Sequence, residues 1–310
     1  MTSIARARVK PAASLHGLLA GAIDYAGLFP PARLDMRAAV ERYAGFRLSG
    51  ERWALGCFVL PAARLDELVA ELGPASPDDG TWPLSVVLGD DVAADARRIA
   101  TFSDAQEDAA IIECVEGRIG AGMSEARTRL DEIVRALSRS PTLFIELPTT
   151  GDLDGLLELV RAVGACAKIR TGGVTAELFP PAQAVSRFVC GCARHHVAFK
   201  ATAGLHHPIR ATYPLTYERD APSAVMFGFL NVLVAAVVAR AGGSEEDVRA
   251  ILEVERGGAA DFVFGDDAMR WREHTISTEQ IVHARAAFVR SFGSCSFEEP
   301  IEDLRSLALL

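Results

Sequence analysis

Short apolar runs separated by longer segments of helical periodicity dominate the chain. Runs with the length of a buried parallel strand lie at Trp53–Leu60, Leu84–Leu88, Ala110–Val115, Leu143–Leu147, Cys166–Ile169, Val197–Ala201 and Phe262–Phe264. Between them, Leu65–Leu72, Ser124–Leu137, Leu153–Val163 and Gln183–Ala193 place apolar residues three and four apart, as a helix with one buried face requires. A further run at Ala22–Tyr25, between Gly21 and Gly27, brings the strand count to eight. Strand and helix alternating in this way predict a parallel sheet covered by helices, and eight strands close it into a (β/α)8 TIM barrel. The competing fold is a doubly wound open sheet, but the first strand-to-helix turn lacks the glycine fingerprint of a dinucleotide site.

The 310 residues suit one barrel with modest additions, and no linker rich in Pro, Gly or Ser divides them. The expected organisation is a tail over residues 1–14, the barrel over 15–290, and a carboxyl-terminal extension over 291–310 that packs on one of the barrel mouths. The pentapeptide LFPPA occurs at Leu28–Ala32 and Leu178–Ala182, each copy shortly after a strand and before a helical pattern. Proline suits the first turn of a helix, so the two copies read either as rim loops or as chance in a chain rich in Ala and Pro.

Composition narrows the classes of partner. Half of the residues are hydrophobic, a quarter are charged, and the net charge of −9 has no basic cluster, so nucleic acid is not expected. The most apolar segment, Met226–Ala239, is about fourteen residues long, short of the roughly 20 that span a bilayer, and reads as a buried helix. Arg6, Arg8 and Lys10 precede no uninterrupted apolar stretch, so a cytoplasmic protein is expected. Six cysteines inside apolar runs suit buried thiols rather than disulfides, and the C-x-C spacing of Cys190 and Cys192 does not fit a closed zinc site.

Candidate chemistry begins with lysine. Of 32 basic residues only Lys10, Lys168 and Lys200 are lysine, so arginine is the default surface cation. Lys168 in CAKIRTGG and Lys200 in AFKATAG stand near the carboxyl ends of strands, the end that carries the active site in a barrel. An amine can lose its proton and attack a carbonyl, which a guanidinium cannot. Two ammonium groups together favour the neutral form of one of them; alternatively, each lysine is held by a carboxylate on the next strand.

The segment AKIRTGG, followed 32 residues after its lysine by FKATAGLHHP, resembles the paired motifs of 2-deoxyribose-5-phosphate aldolase and related class I aldolases over Cys166–Arg210. The resemblance implies an imine on the sixth-strand lysine, Lys168, with the seventh-strand Lys200 lowering its pKa. Arg170 stands where the family has a small hydroxyl residue, FVFGDDAMRW shows no recognisable phosphate loop, and the family's acid and base aspartate has no clear counterpart in sequence.

Glu113, ending AAIIE, and Glu146, ending TLFIE, are expected to supply carboxylates to the same rim as general base or ion-pair partner. Substrate-binding candidates are Arg170 as a bidentate carboxylate clamp, Thr171, Gly172 and Gly173 as backbone donors to an anionic oxygen, Thr202, His206 and His207 after the seventh strand, and Asp24 after the first. The expected function is a lyase of aldolase type that forms a lysine imine with a small carbonyl substrate, without a cofactor or a bound metal, as a monomer or a homo-oligomer. Two alternatives remain open: lysine general bases assisting enolisation or isomerisation beside a divalent cation held by Glu113, Glu146 and an aspartate, and a barrel that binds without catalysis.

Overall fold

The computed structural model describes residues 10–72, 80–137 and 141–310. In chain order the strands are β1 (Ile23–Tyr25), β2 (Leu55–Pro61), β3 (Trp82–Val87), β4 (Ala110–Arg118), β5 (Thr142–Glu146), β6 (Cys166–Arg170), β7 (Phe199–Thr202), β8 (Ala211–Pro214), β9 (Ser223–Met226), β10 (Val263–Phe264), β11 (Ala268–Trp271), β12 (His274–Ser277) and β13 (Val289–Ser294). Strands β1 to β7 and β13 form a closed, all-parallel barrel in which β13 lies between β7 and β1. The fold is therefore a (β/α)8 barrel.

Six of the first seven barrel strands coincide with the apolar runs to within two residues at each end, because a strand covered on both faces has no polar face to show. The exception is β4, which continues three residues past Val115 to Arg118. Helices Met36–Arg47, Val92–Ala105 and Leu153–Ala162 each start at an aspartate, Asp35, Asp91 and Asp152, whose carboxylate accepts a first-turn N–H. Helix Phe229–Arg240 is buried from Phe229 to Ala239, as its uniform apolarity requires. No helix among the described residues is long and apolar enough to cross a membrane.

The eighth barrel strand is not the expected one. Phe262–Phe264 contributes only the two-residue β10 to a small antiparallel sheet with β11 and β12, and β13 closes the barrel instead. The reason is compositional: VRSFGS carries Arg290, Ser291, Gly293 and Ser294 where a buried parallel strand normally carries Val, Ile or Leu. The barrel thus runs past residue 290, into the segment expected as an extension. Beyond it, helix Glu298–Ser306 packs beside the loops that follow β7, since Asp303 meets His207 and Phe297 meets Phe46 at 5.0 Å between ring centroids. The expected amino-terminal tail falls mostly outside the described residues, and helix Ala13–Leu19 begins at its end.

Candidate active site

Register brings the lysines together. Glu146 on β5, Lys168 on β6 and Lys200 on β7 lie directly opposite one another in the ladder, so all three side chains leave the sheet on one face. Lys168 Nζ donates to Glu116 Oε2 at 2.8 Å and pairs with Glu146 Oε2 at 2.9 Å. Lys200 Nζ donates to Glu116 Oε1 at 2.7 Å and to Asp24 Oδ2 at 2.5 Å, and stands 5.4 Å from the centre of the Phe144 ring. Glu116 therefore lies between the two amines. The polar groups of the network are well satisfied: Ser85 Oγ donates to Glu116 Oε1 at 2.7 Å, while Ser291 Oγ and the Cys57 N–H donate to Asp24 at 2.6 and 2.9 Å.

This geometry decides the electrostatics. Burial disfavours the Lys200 ammonium, but the carboxylates of Asp24 and Glu116 outweigh it and push its pKa above the usual lysine range. Burial likewise opposes charge on Lys168, and Glu116 with Glu146 reverses the balance, so its pKa is also raised. For Glu116 burial favours the neutral acid, yet the two ammonium groups hold it well below the ordinary carboxylate range. The expectation that the lysines repel and neutralise one another is thus overturned, because a carboxylate separates them and each amine is stabilised as a cation.

Of the two strand-borne lysines, only Lys168 reaches an open cavity. Lys168, Glu116 and Glu146 line a cavity of about 350 Å³ at the carboxyl ends of the strands, together with Arg170, Thr202, His206 and Cys295. Apolar wall is supplied by Val59, Val87, Leu88 and by Phe29 and Pro30 of the first LFPPA copy. Lys200 is 1% exposed and does not line it. Asp24 lies beneath this cavity, not on its rim, and faces a smaller one near the opposite mouth.

The remaining candidates divide. Arg170 lines the cavity, with Nε donating to the Gly172 carbonyl at 3.1 Å. Thr171 is not a donor to a ligand: its N–H donates to the Thr202 carbonyl and its hydroxyl to the carbonyls of Thr202 and Ala203. Gly172 serves close packing, since a Cβ there would stand 2.5 Å from the Phe179 ring and 3.0 Å from Gly204 Cα. A Cβ on Gly173 would likewise stand 2.3 Å from Leu178. The second LFPPA copy therefore supports the loops after β6 and β7. His207 is tied to Asp303 at 2.6 Å and stacked on Tyr213 at 3.6 Å, outside the Lys168 cavity.

Glu113 does not join the rim. It is exposed near the opposite mouth, where Cys57 Sγ is 3.9 Å from its Oε2. The β3–β4 ladder pairs Leu84 with Ile112 but Ser85 with Cys114, which leaves Glu113 as the extra residue of a bulge. Past the bulge it is Glu116, three residues on, that turns inward beside Lys168. The only sequence signal for Glu116 was a second glutamate in the continuing run ECVEG.

The chain matches no protein-family model and no curated protein. Its chemistry accordingly rests on the site. Among the described residues, one group of three metal-type side chains has ligand atoms within 4.8 Å of one another, Asp247, Glu273 and His274, and it lies by β12, apart from the residues of the Lys168 cavity. Of the Glu113, Glu146 and aspartate set considered for a divalent cation, Glu146 lines the Lys168 cavity and pairs with Lys168, whereas Glu113 faces the other mouth.

Proposed function

We propose that the protein is a lyase of aldolase type that binds a small carbonyl compound as an imine on Lys168. The observation that carries this reading is a lone cavity-lining lysine held between two carboxylates, Glu116 and Glu146, with the chain's other strand-borne lysine sealed behind it. The likeness of the two lysine segments to class I aldolases points the same way. A cavity of about 350 Å³ lies at the small end of the range for ligand pockets, which favours a substrate of a few carbons. Arg170 and Thr202 supply polar contacts to it at the mouth.

The resting ammonium must first lose a proton. Glu146, whose side chain is 23% exposed, is the acceptor best placed to take it along the 2.9 Å contact. Expulsion of water by an entering substrate favours the resulting neutral pair over separated charges. Glu116 divides its charge between two amines, so it holds the Lys168 proton less tightly than an unshared carboxylate would. The free amine then adds to the carbonyl carbon, the oxygen leaves as water after protonation, and the iminium accepts the electron pair of a carbon–carbon bond broken next to it.

Incubation with pyruvate or propanal followed by borohydride tests the reading. A stable mass increase on the peptide containing Lys168, absent in Lys168→Met, is expected. Modification of Lys200 in its place, or of neither lysine, overturns it.

A further inference from the structure

The Lys168 cavity has a second set of ionisable groups, contributed by the segments that follow β7 and β13 and by the carboxyl-terminal helix. His206 follows β7 and lines both the Lys168 cavity and an adjoining cavity of about 290 Å³ under the β8–β9 hairpin. Its Nδ1 faces three groups: Glu299 Oε2 at 3.5 Å, Ser294 Oγ at 3.4 Å and Cys295 Sγ at 3.7 Å. Glu299 comes from the carboxyl-terminal helix and also accepts a hydrogen bond from Tyr217 Oη at 2.9 Å, which stands 3.5 Å from Cys295 Sγ. Glu299 is the charged group of the three, and its ion-pair contact with Nδ1 favours a protonated ring, while Ser294 and Cys295 stand at hydrogen-bond distance from the same atom. Among the described residues, these contacts all fall on Nδ1 and leave Nε2 to the cavity.

This is the arrangement in which a carboxylate fixes the orientation of an imidazole and stabilises its protonated form. Burial acts against the imidazolium, and the contacts with Cys295 and Glu299 outweigh it, raising the His206 pKa to about 10. On the other partner, burial would raise the Glu299 pKa, and His206 and Tyr217 hold it below the ordinary range. Near neutral pH the ring is therefore a donor.

We propose that His206 is the catalytic proton donor to the substrate oxygen that gains negative charge in the cavity it shares with Lys168, and that Glu299 positions it. The inference rests on the imine reading. In the bond-forming direction, the enamine carbon of the Lys168 adduct attacks the carbonyl carbon of a second aldehyde, whose π pair moves to oxygen. His206 Nε2 transfers its proton to that oxygen, giving a hydroxyl and a neutral ring, which regains a proton from water. In the reverse direction the neutral ring removes the hydroxyl proton as the carbon–carbon bond breaks. The acceptor is thus a small aldehyde, and the carboxyl-terminal helix becomes part of the catalytic apparatus.

The test uses the full chain with propanal, measuring its self-aldol product and borohydride trapping at Lys168 on the same samples. His206→Asn keeps a polar donor near the Nδ1 position and removes Nε2. It is expected to lower aldol product formation at least about 100-fold while Lys168 stays trappable, which also reports a folded site. Glu299→Gln, which leaves the Cys295 contact in place, is expected to move the alkaline loss of turnover downward from its wild-type position near pH 10. Turnover of His206→Asn within about threefold of wild type overturns the assignment of His206, and an unmoved alkaline limb in Glu299→Gln overturns that of Glu299. Wild-type protein that forms no trappable adduct at Lys168 removes the imine reading and this proposal with it.

Discussion

A carboxylate placed between two ammonium groups changes what each of them can do. Glu116 bonds both lysines through different oxygens and takes a third hydrogen bond from Ser85, so its charge is compensated although the side chain is 3% exposed. Removing that charge leaves Lys168 and Lys200 facing each other with one carboxylate each. Glu116→Gln is expected to cost on the order of 3 kcal/mol at pH 7, read from urea unfolding. The pH dependence has a definite sign. The folded pKa of Glu116 is depressed, so its contribution is complete above the unfolded value of about 4.3 and is lost as the pH falls toward the folded value. The stability gap between wild type and Glu116→Gln should accordingly hold from pH 7 to about 5 and shrink below about 4.3; a gap that narrows as the pH rises from about 5 to about 9, below the lysine range, would contradict the assignment. Lys200 behaves in the opposite sense: its raised pKa contributes fully below about 10.4 and is lost as the pH rises beyond that. The rarity of lysine in the chain singled out Lys168 and Lys200, and apolar neighbours placed them on strands. That they are held apart by a carboxylate was not legible, since the pairing depends on a residue 52 positions from one and 84 from the other.

Strands and loops carry the next level of information. The loops after β6 and β7 approach backbone to backbone, with Gly204 at φ +73° and Phe179 of the second LFPPA copy packed against both. Gly204→Ala would force a side chain into a left-handed conformation and set its Cβ 2.8 Å from the Phe179 ring and 3.1 Å from Gly172 Cα. A loss of about 1–3 kcal/mol is expected in urea denaturation, and an unchanged midpoint would show that the contact relaxes freely. Arg170 at the end of β6 and His206 in the loop after β7 flank this contact, so the packing also sets the mouth of the cavity. Period-2 reading of strands placed Glu146 correctly because β5 is regular along its pairing with β6. It failed for Glu113 because one bulged residue exchanges the inward and outward sets downstream.

Closure of the barrel depends on residues near the far end of the chain. β13 pairs with both β7 and β1, so it supplies the two closing ladders and sends Ser291 to Asp24. A chain ending at Ala287 is expected to lack cooperative thermal unfolding, because β1 and β7 would be left as unpaired edges and the barrel open. A sharp transition in that variant, with near-ultraviolet circular dichroism like that of the full chain, would show that β13 is dispensable. The 86 residues from Ala203 to Phe288 hold the β8–β9 hairpin, the β10–β12 sheet and three helices, more than a single crossover needs. The hairpin and the terminal helix converge on the His206 side of the cavity, through Tyr217 and Glu299.

Local order along the chain was enough to specify alternating strands and helices, hence a parallel barrel, and to mark two lysines and Glu146 at strand ends. These features depend on neighbours a few residues away, where periodicity and desolvation act directly on each position. The position of Glu116 between the amines, the recruitment of a serine-rich strand to close the sheet, and the seating of His206 by Glu299 are of another kind. Each joins segments distant in sequence, and the Lys200–Asp24 bond spans 176 residues. Such contacts exist only once β1 and β7 have been brought to either side of β13, so it is the closed barrel, and no local pattern, that sets the charge of each amine.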